Sequence, residues 1–139
     1  MLSKISSNLK NDTDIVCLSE ALNKKNSIND IKRSLADLNK KLKERFLNKE
    51  PIDILVHLHS IAIDQIIICV WRKHKLDDFK KITLIAVGGY GRQELLPQSD
   101  IDIMILLGDR IQKETNELIS NFLTNLWDIG FDLGHSVRT

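Results

Sequence analysis

Two aspartates, Asp100 and Asp102, stand two residues apart at the head of an apolar run, Ile101-Asp-Ile-Met-Ile-Leu-Leu107. In an extended strand successive side chains point to opposite faces. Both carboxylates therefore share one face, and Ile101 and Ile103 turn to the other. Two like charges so placed repel unless a cation lies between them. A hard divalent ion meets that need, and Mg²⁺ held by one or two carboxylates plus substrate phosphates is the usual form. Upstream, Ile82-Thr-Leu-Ile-Ala-Val87 is a second short apolar run that stops at Gly88-Gly89. Glycine there permits a sharp turn and brings backbone N–H groups close to phosphate oxygens. Arg92 adds a fixed positive charge suited to a triphosphate. Glycine turn, arginine and carboxylate pair together describe metal-dependent phosphoryl or nucleotidyl chemistry. The glycines fit neither the dinucleotide fingerprint, whose third glycine is misplaced, nor a P-loop, which needs Gly-Lys-Ser/Thr.

Positioning these residues requires a scaffold, and the apolar spacing outlines one. Weak spacing around Ile15, Val16, Leu18 and Leu22 predicts a short helix near 12–24. Ile31, Leu35, Leu38, Leu42 and Phe46 form one stripe of an amphipathic helix over about 29–48, with Asn29 as its N-cap. Pro51 suits the first turn of a helix running to about residue 74, apolar on more than one face and hence central. The runs 82–87 and 101–107 read as buried strands. Residues 112–129 return to helical spacing, with Trp127 and Phe122 on the apolar face and Gly130 as the stop. A third strand is expected over Phe131–Val137, with His135 partly buried between Leu133 and Val137. The fold class is α+β: N-terminal helices packed on a small mixed sheet. Two regions are expected, a helical one over 1–81 and a core over 82–139.

Composition narrows the function classes. The chain has 139 residues, 42% apolar and 28% charged, which suits one globular domain. No apolar run of transmembrane length is expected, and the first residues lack the apolar core of a secretory signal. Cys17 and Cys69 are too few and too far apart for a disulfide framework or a zinc site, which points to a reduced, cytoplasmic protein. Residues 1–50 carry 11 Lys/Arg against 7 Asp/Glu, and residues 82–139 carry 4 against 8. The basic excess is spread over helix faces without interleaved aromatics, so no nucleic-acid partner is expected. The acidic excess lies with the Asp100–Asp102 pair. His57 and His59, two apart on a helix, face different directions and make a poor metal pair.

The stretch Gly88-Gly89-Tyr90-Gly91-Arg92-Gln93-Glu94-Leu95-Leu96-Pro97-Gln98-Ser99-Asp100-Ile101-Asp102 closely resembles the signature of bacterial PII uridylyltransferases, members of the DNA polymerase beta-like nucleotidyltransferase superfamily. The later blocks Leu126–Gly130 and Leu133–Thr139 are similar to the next blocks of that family. The resemblance implies a nucleotidyltransferase-type sheet and Mg²⁺-dependent transfer of a uridylyl group from UTP to a tyrosine of the PII signalling protein. It also implies metal-ligand roles for Asp100 and Asp102, phosphate contacts at Gly88 and Gly89, and a supporting role for Ser99. The superfamily adds a third carboxylate from a later strand, and Asp132 is the nearby candidate. Measured against that family, the chain is expected to be an N-terminal piece whose transferase domain is incomplete at the C-terminus and inactive in isolation. Alternatives are another nucleotide or acceptor, or a non-catalytic nucleotide-binding module. A phosphate-cradling role for the glycine turn makes Gly89→Val a direct test. A β-branched side chain resists the turn and blocks backbone approach, so UTP affinity should fall at least tenfold by isothermal titration calorimetry.

Overall fold

The computed structural model of the chain describes residues 9–24, 27–79, 81–87, 101–108 and 113–138. Helix α1 covers Thr13–Asn23 and starts at Asp12, whose carboxylate accepts from the Asp14 N–H at 3.0 Å. Helix α2 covers Ile28–Leu47. Its N-cap is Ser27, not Asn29. The Asp30 N–H donates to Ser27 Oγ at 3.1 Å and the Ser27 N–H donates to Asp30 Oδ2 at 3.0 Å. This reciprocal box satisfies two backbone donors, more than a lone asparagine would, so the helix begins a residue early. The stripe Ile31, Leu35, Leu38 and Leu42 is buried as expected, but Phe46, in the last turn, is 52% exposed.

Helix α3, Ile52–Lys73, is the hub. It packs against α1, α2 and the later helix α4, Lys113–Ile129. With neighbours on several sides it is apolar nearly all round, as a buried helix must be. That property corrects the expectation about membrane-length runs. An 18-residue window of this 22-residue helix has a mean hydropathy of 1.8, enough by length and composition to cross a bilayer, and 61% of that window is buried inside the fold. Trp71 of α3 meets Phe122 of α4 edge-on at 5.1 Å, which adds a favourable quadrupole contact to the area both rings bury. His74 Nε2 donates to Asn125 Oδ1 at 2.8 Å and ties the end of α3 to the same helix.

Three strands follow: β1 Ile82–Val87, β2 Ile101–Leu107 and β3 Leu133–Arg138. They form one sheet in the order β1-β2-β3, antiparallel between β1 and β2 and parallel between β2 and β3. The parallel pair needs a crossover, and α4 supplies it. Gly130, at φ 109°, ends α4 where expected. β3 then starts at Leu133, later than residue 131, because the Phe131 N–H donates back to the Leu126 carbonyl of α4 at 3.2 Å. The described residues thus give the α+β fold with a small mixed sheet. A single apolar cluster runs from Ile15 and Leu18 of α1 through α2, α3 and α4 to Ile101, Ile103, Ile105 and Leu107 of β2.

One polar knot joins α1 to the end of α2. Arg45 donates both Nη atoms to Asp12 at 2.9 Å, Nη1 to Asp14 at 3.0 Å, and Nε and Nη2 to Glu50 at 3.0 and 2.9 Å. Burial works to raise the Asp12 carboxyl, but the Arg45 hydrogen bonds, the Asp14 N–H and the guanidinium charge outweigh it and hold the pKa below the usual carboxylate value. Arg45→Leu should therefore lower stability by about 1–2 kcal/mol, read as a fall in melting temperature of about 5 °C. The pH dependence has a definite sign. Because the folded pKa lies below the unfolded value of about 3.9, the contribution is complete above about pH 5 and is lost as pH falls through the folded pKa. Asp12→Asn should accordingly flatten the acid limb of a melting-temperature profile below about pH 5 and leave its shape above pH 6 unchanged.

Candidate active site

Packing decides which way β2 faces. Ile101, Ile103, Ile105 and Leu107 are buried in the core, so Asp102, Met104 and Leu106 turn to the opposite face. On that face the register places Val87 of β1 and Gly134 of β3 on either side of Asp102. Val87 directly precedes Gly88 in sequence, so the strand leading to the glycine turn ends level with Asp102. The Asp102 carboxylate is half-buried and leans over β3, where its Oδ1 fills the space a Cβ on residue 134 would need. The Ile101 N–H donates to the Asp132 carbonyl at 2.8 Å, which places Asp132 at the same end of the sheet, exposed and one residue ahead of β3. Two of the expected site residues, Asp102 and Asp132, therefore share one sheet end. Gly88, Gly89, Tyr90, Arg92, Ser99 and Asp100 lie outside the described residues.

The remaining residues singled out above fall into place around this end. His57 is tied to its own helix, its Nδ1 lying 2.8 Å from the Asp53 carbonyl one turn back, whereas His59 is buried. The two differ in environment, as their spacing on a helix requires. Among the described residues no three His, Cys, Asp or Glu side chains group to hold a metal. Asp102 and Asp132 bring carboxylate oxygens to the sheet end, donors of the hard type that Mg²⁺ prefers. Trp127 is not a core residue: it is 46% exposed and meets the exposed His135 edge-on at 5.4 Å. β3 is the edge strand of the described sheet, so its helix-facing side is only partly covered. This leaves both rings at the rim, not inside. Spacing alone put Trp127 in the core and His135 partly inside because it cannot tell an edge strand from a central one. Sequence reasoning also missed Arg45 and the contact of Asp102 with Gly134. The first had no signal beyond its charge. The second had one: Gly134 shares a strand face with Ser136, but the partner strand was not legible.

Comparison with known proteins bears on this geometry. Residues 68–133, from late α3 through β1, β2 and α4 to the start of β3, match the family model described as "Nucleotidyltransferase domain". The chain is also similar to bifunctional uridylyltransferase/uridylyl-removing enzymes. It is 40% identical to that of Photobacterium profundum over 109 residues, 78% of this chain and 12% of the relative. It is 43% identical to that of Acinetobacter baumannii (strain ATCC 17978) over 104 residues, 74% of this chain and 12% of the relative. It is 38% identical to that of Vibrio parahaemolyticus over 113 residues, 81% of this chain and 13% of the relative. The chain thus spans about one eighth of the length of these relatives. No solved structure matches it.

Within the matched segment, Asp102 lies on the strand face turned away from the core and rests against a glycine, so its charge contributes nothing evident to the core. Asp102→Asn should leave the melting temperature in chelator unchanged or slightly raised, and should weaken Mn²⁺ binding at least tenfold by electron paramagnetic resonance titration. A large loss of melting temperature in chelator would instead make the carboxylate structural.

Proposed function

We propose that this chain supplies the transfer site of an enzyme that moves a uridylyl group from UTP to a tyrosine of a PII signalling protein in the cytoplasm, with Mg²⁺ as cofactor. The observation that carries the reading is the placement of Asp102. It lies on the sheet face turned away from the core, in register with the residue ahead of Gly88-Gly89 and inside a segment of the nucleotidyltransferase family. The uridylyl specificity rests on the relatives, whose names state that activity. Free thiols at Cys17 and Cys69 suit a reducing compartment.

In this reading Asp102, together with Asp100, holds the ion. Gly88 and Gly89 offer backbone N–H groups to the phosphates, Arg92 adds a fixed positive charge, and Ser99 supports the head of β2. When bound, Mg²⁺ offsets negative charge on the triphosphate and on the departing pyrophosphate. The tyrosine oxygen attacks the α-phosphorus in line. A new P–O bond forms, the bond to the β-phosphate oxygen breaks, and the phenolic proton goes to a base. In this reading Asp132, exposed at the same sheet end, takes that proton. Much of the rate advantage in such reactions comes from fixing several charges around one centre, so a rigid strand is a suitable mount.

Mass spectrometry of a PII protein incubated with UTP, Mg²⁺ and the protein carrying this chain tests the proposal. One uridylyl group on a tyrosine, absent in chelator and reduced at least a hundredfold by Asp102→Asn, is the expected result. Modification with another nucleotide but not UTP would overturn the uridylyl assignment. No modification with any nucleotide, despite Mg²⁺-dependent UTP binding, would make the chain a binding module.

A further inference from the structure

Three described glycines have three different reasons to be glycine. Gly130 has a φ of 109°, a conformation that L side chains rarely adopt, and a Cβ there would meet nothing within 4 Å. A Cβ on Gly108 would sit 3.2 Å from that of Lys81, tighter than most such contacts, so Lys81 would have to give by a few tenths of an ångström. Gly134 is unlike both. Its backbone lies in the middle of a regular strand ladder, outside the left-handed region, so any residue could adopt its conformation. A glycine in such a position weakens the strand, since it brings backbone freedom and no packing. What it leaves is space. A Cβ at residue 134 would overlap the Asp102 Oδ1 and lie 3.4 Å from its Cγ, and among the described residues no other atom falls among its close neighbours.

We infer that Gly134 is a positioning residue for the transfer site: its missing side chain is the seat of the Asp102 carboxylate. The inference rests on the functional reading above and extends it to a residue that touches neither nucleotide nor metal. β2 and β3 are parallel and in direct register here, so residues 102 and 134 emerge on the same face side by side. With glycine as neighbour, the Asp102 side chain leans over the β3 backbone. That leaves the β1 side, where Val87 precedes the glycine turn, clear of this carboxylate. Any larger residue at 134 pushes the carboxylate toward β1, into the room an incoming phosphate needs. Acidic ligands must be held within a fraction of an ångström of their working geometry, and a single methyl group is large on that scale.

Four proteins test the inference: the wild-type chain, Gly134→Ala, Asp102→Ala and the double variant. Each is measured for Mn²⁺–UTP affinity by calorimetry and for melting temperature in chelator. Gly134→Ala should lose at least tenfold in Mn²⁺–UTP affinity and melt below wild type. In the Asp102→Ala background the same substitution should leave the melting temperature unchanged or raise it, because the colliding carboxylate is gone. If Gly134→Ala alone fails to fold, recovery of folding in the double variant is the expected result and supports the seat. Wild-type affinity in Gly134→Ala would overturn it. So would an equal loss of melting temperature, or of folding, in both backgrounds, since the new methyl group would then be meeting something other than Asp102. Loss of affinity in Asp102→Ala with none in Gly134→Ala overturns only the positioning role. Unchanged affinity in Asp102→Ala overturns the metal-binding reading itself, and the positioning role with it.

Discussion

A strand buried on one side can present polar chemistry only on the other, and β2 is held to that rule by four aliphatic side chains. Ile101, Ile103, Ile105 and Leu107 lie at or below 5% exposure. Burying one such side chain is worth roughly 1.5–3 kcal/mol. Turning the strand over would expose all four and bury Asp102 against apolar helices, where a lone carboxylate is costly. A slip of one residue against β1 or β3 would have the same result. The orientation of the acidic group is therefore enforced by the core beneath it, and the core can be strengthened without touching the site.

That core depends in turn on α3. Because α1, α2 and α4 all pack against it, α3 carries apolar residues around much of its circumference. The same feature gives it the hydropathy of a membrane span. α4 couples this hub to the sheet: Phe122 packs on Trp71 from one side of the helix, and the chain leaves the other end of α4 to form β3. Helix and strand are consecutive, so the packing of α4 on α3 also fixes where β3, and hence Gly134 and Asp132, can lie relative to β2.

Away from the sheet, Arg45 performs a different task. Its planar guanidinium binds Asp12 through both Nη atoms and Glu50 through Nε and Nη2, and these fork geometries are stiffer than a lysine contact would be. Asp12 also caps α1, so one charged group serves both the helix end and the link between helices. The first helix is short and only weakly amphipathic, and a polar tether at its start supplements the modest area it buries.

Local rules carried the reading a long way. The period of the apolar residues gave the helices and strands nearly to their ends, because each pattern matches one backbone geometry and no other. Alternation set Asp102 on the face opposite Ile101 and Ile103, where the structure has it. Local rules failed where the deciding partner is distant in sequence. Ser27 displaced Asn29 as cap through a reciprocal hydrogen bond that composition alone does not rank. Trp127 and His135 fell at the rim because β3 is an edge strand of the described sheet, a fact set by strand order. Gly134 gained meaning only from the parallel register with Asp102, 32 residues earlier in the chain. A periodic pattern fixes which face a residue takes on its own element. Only packing between elements decides what that face meets.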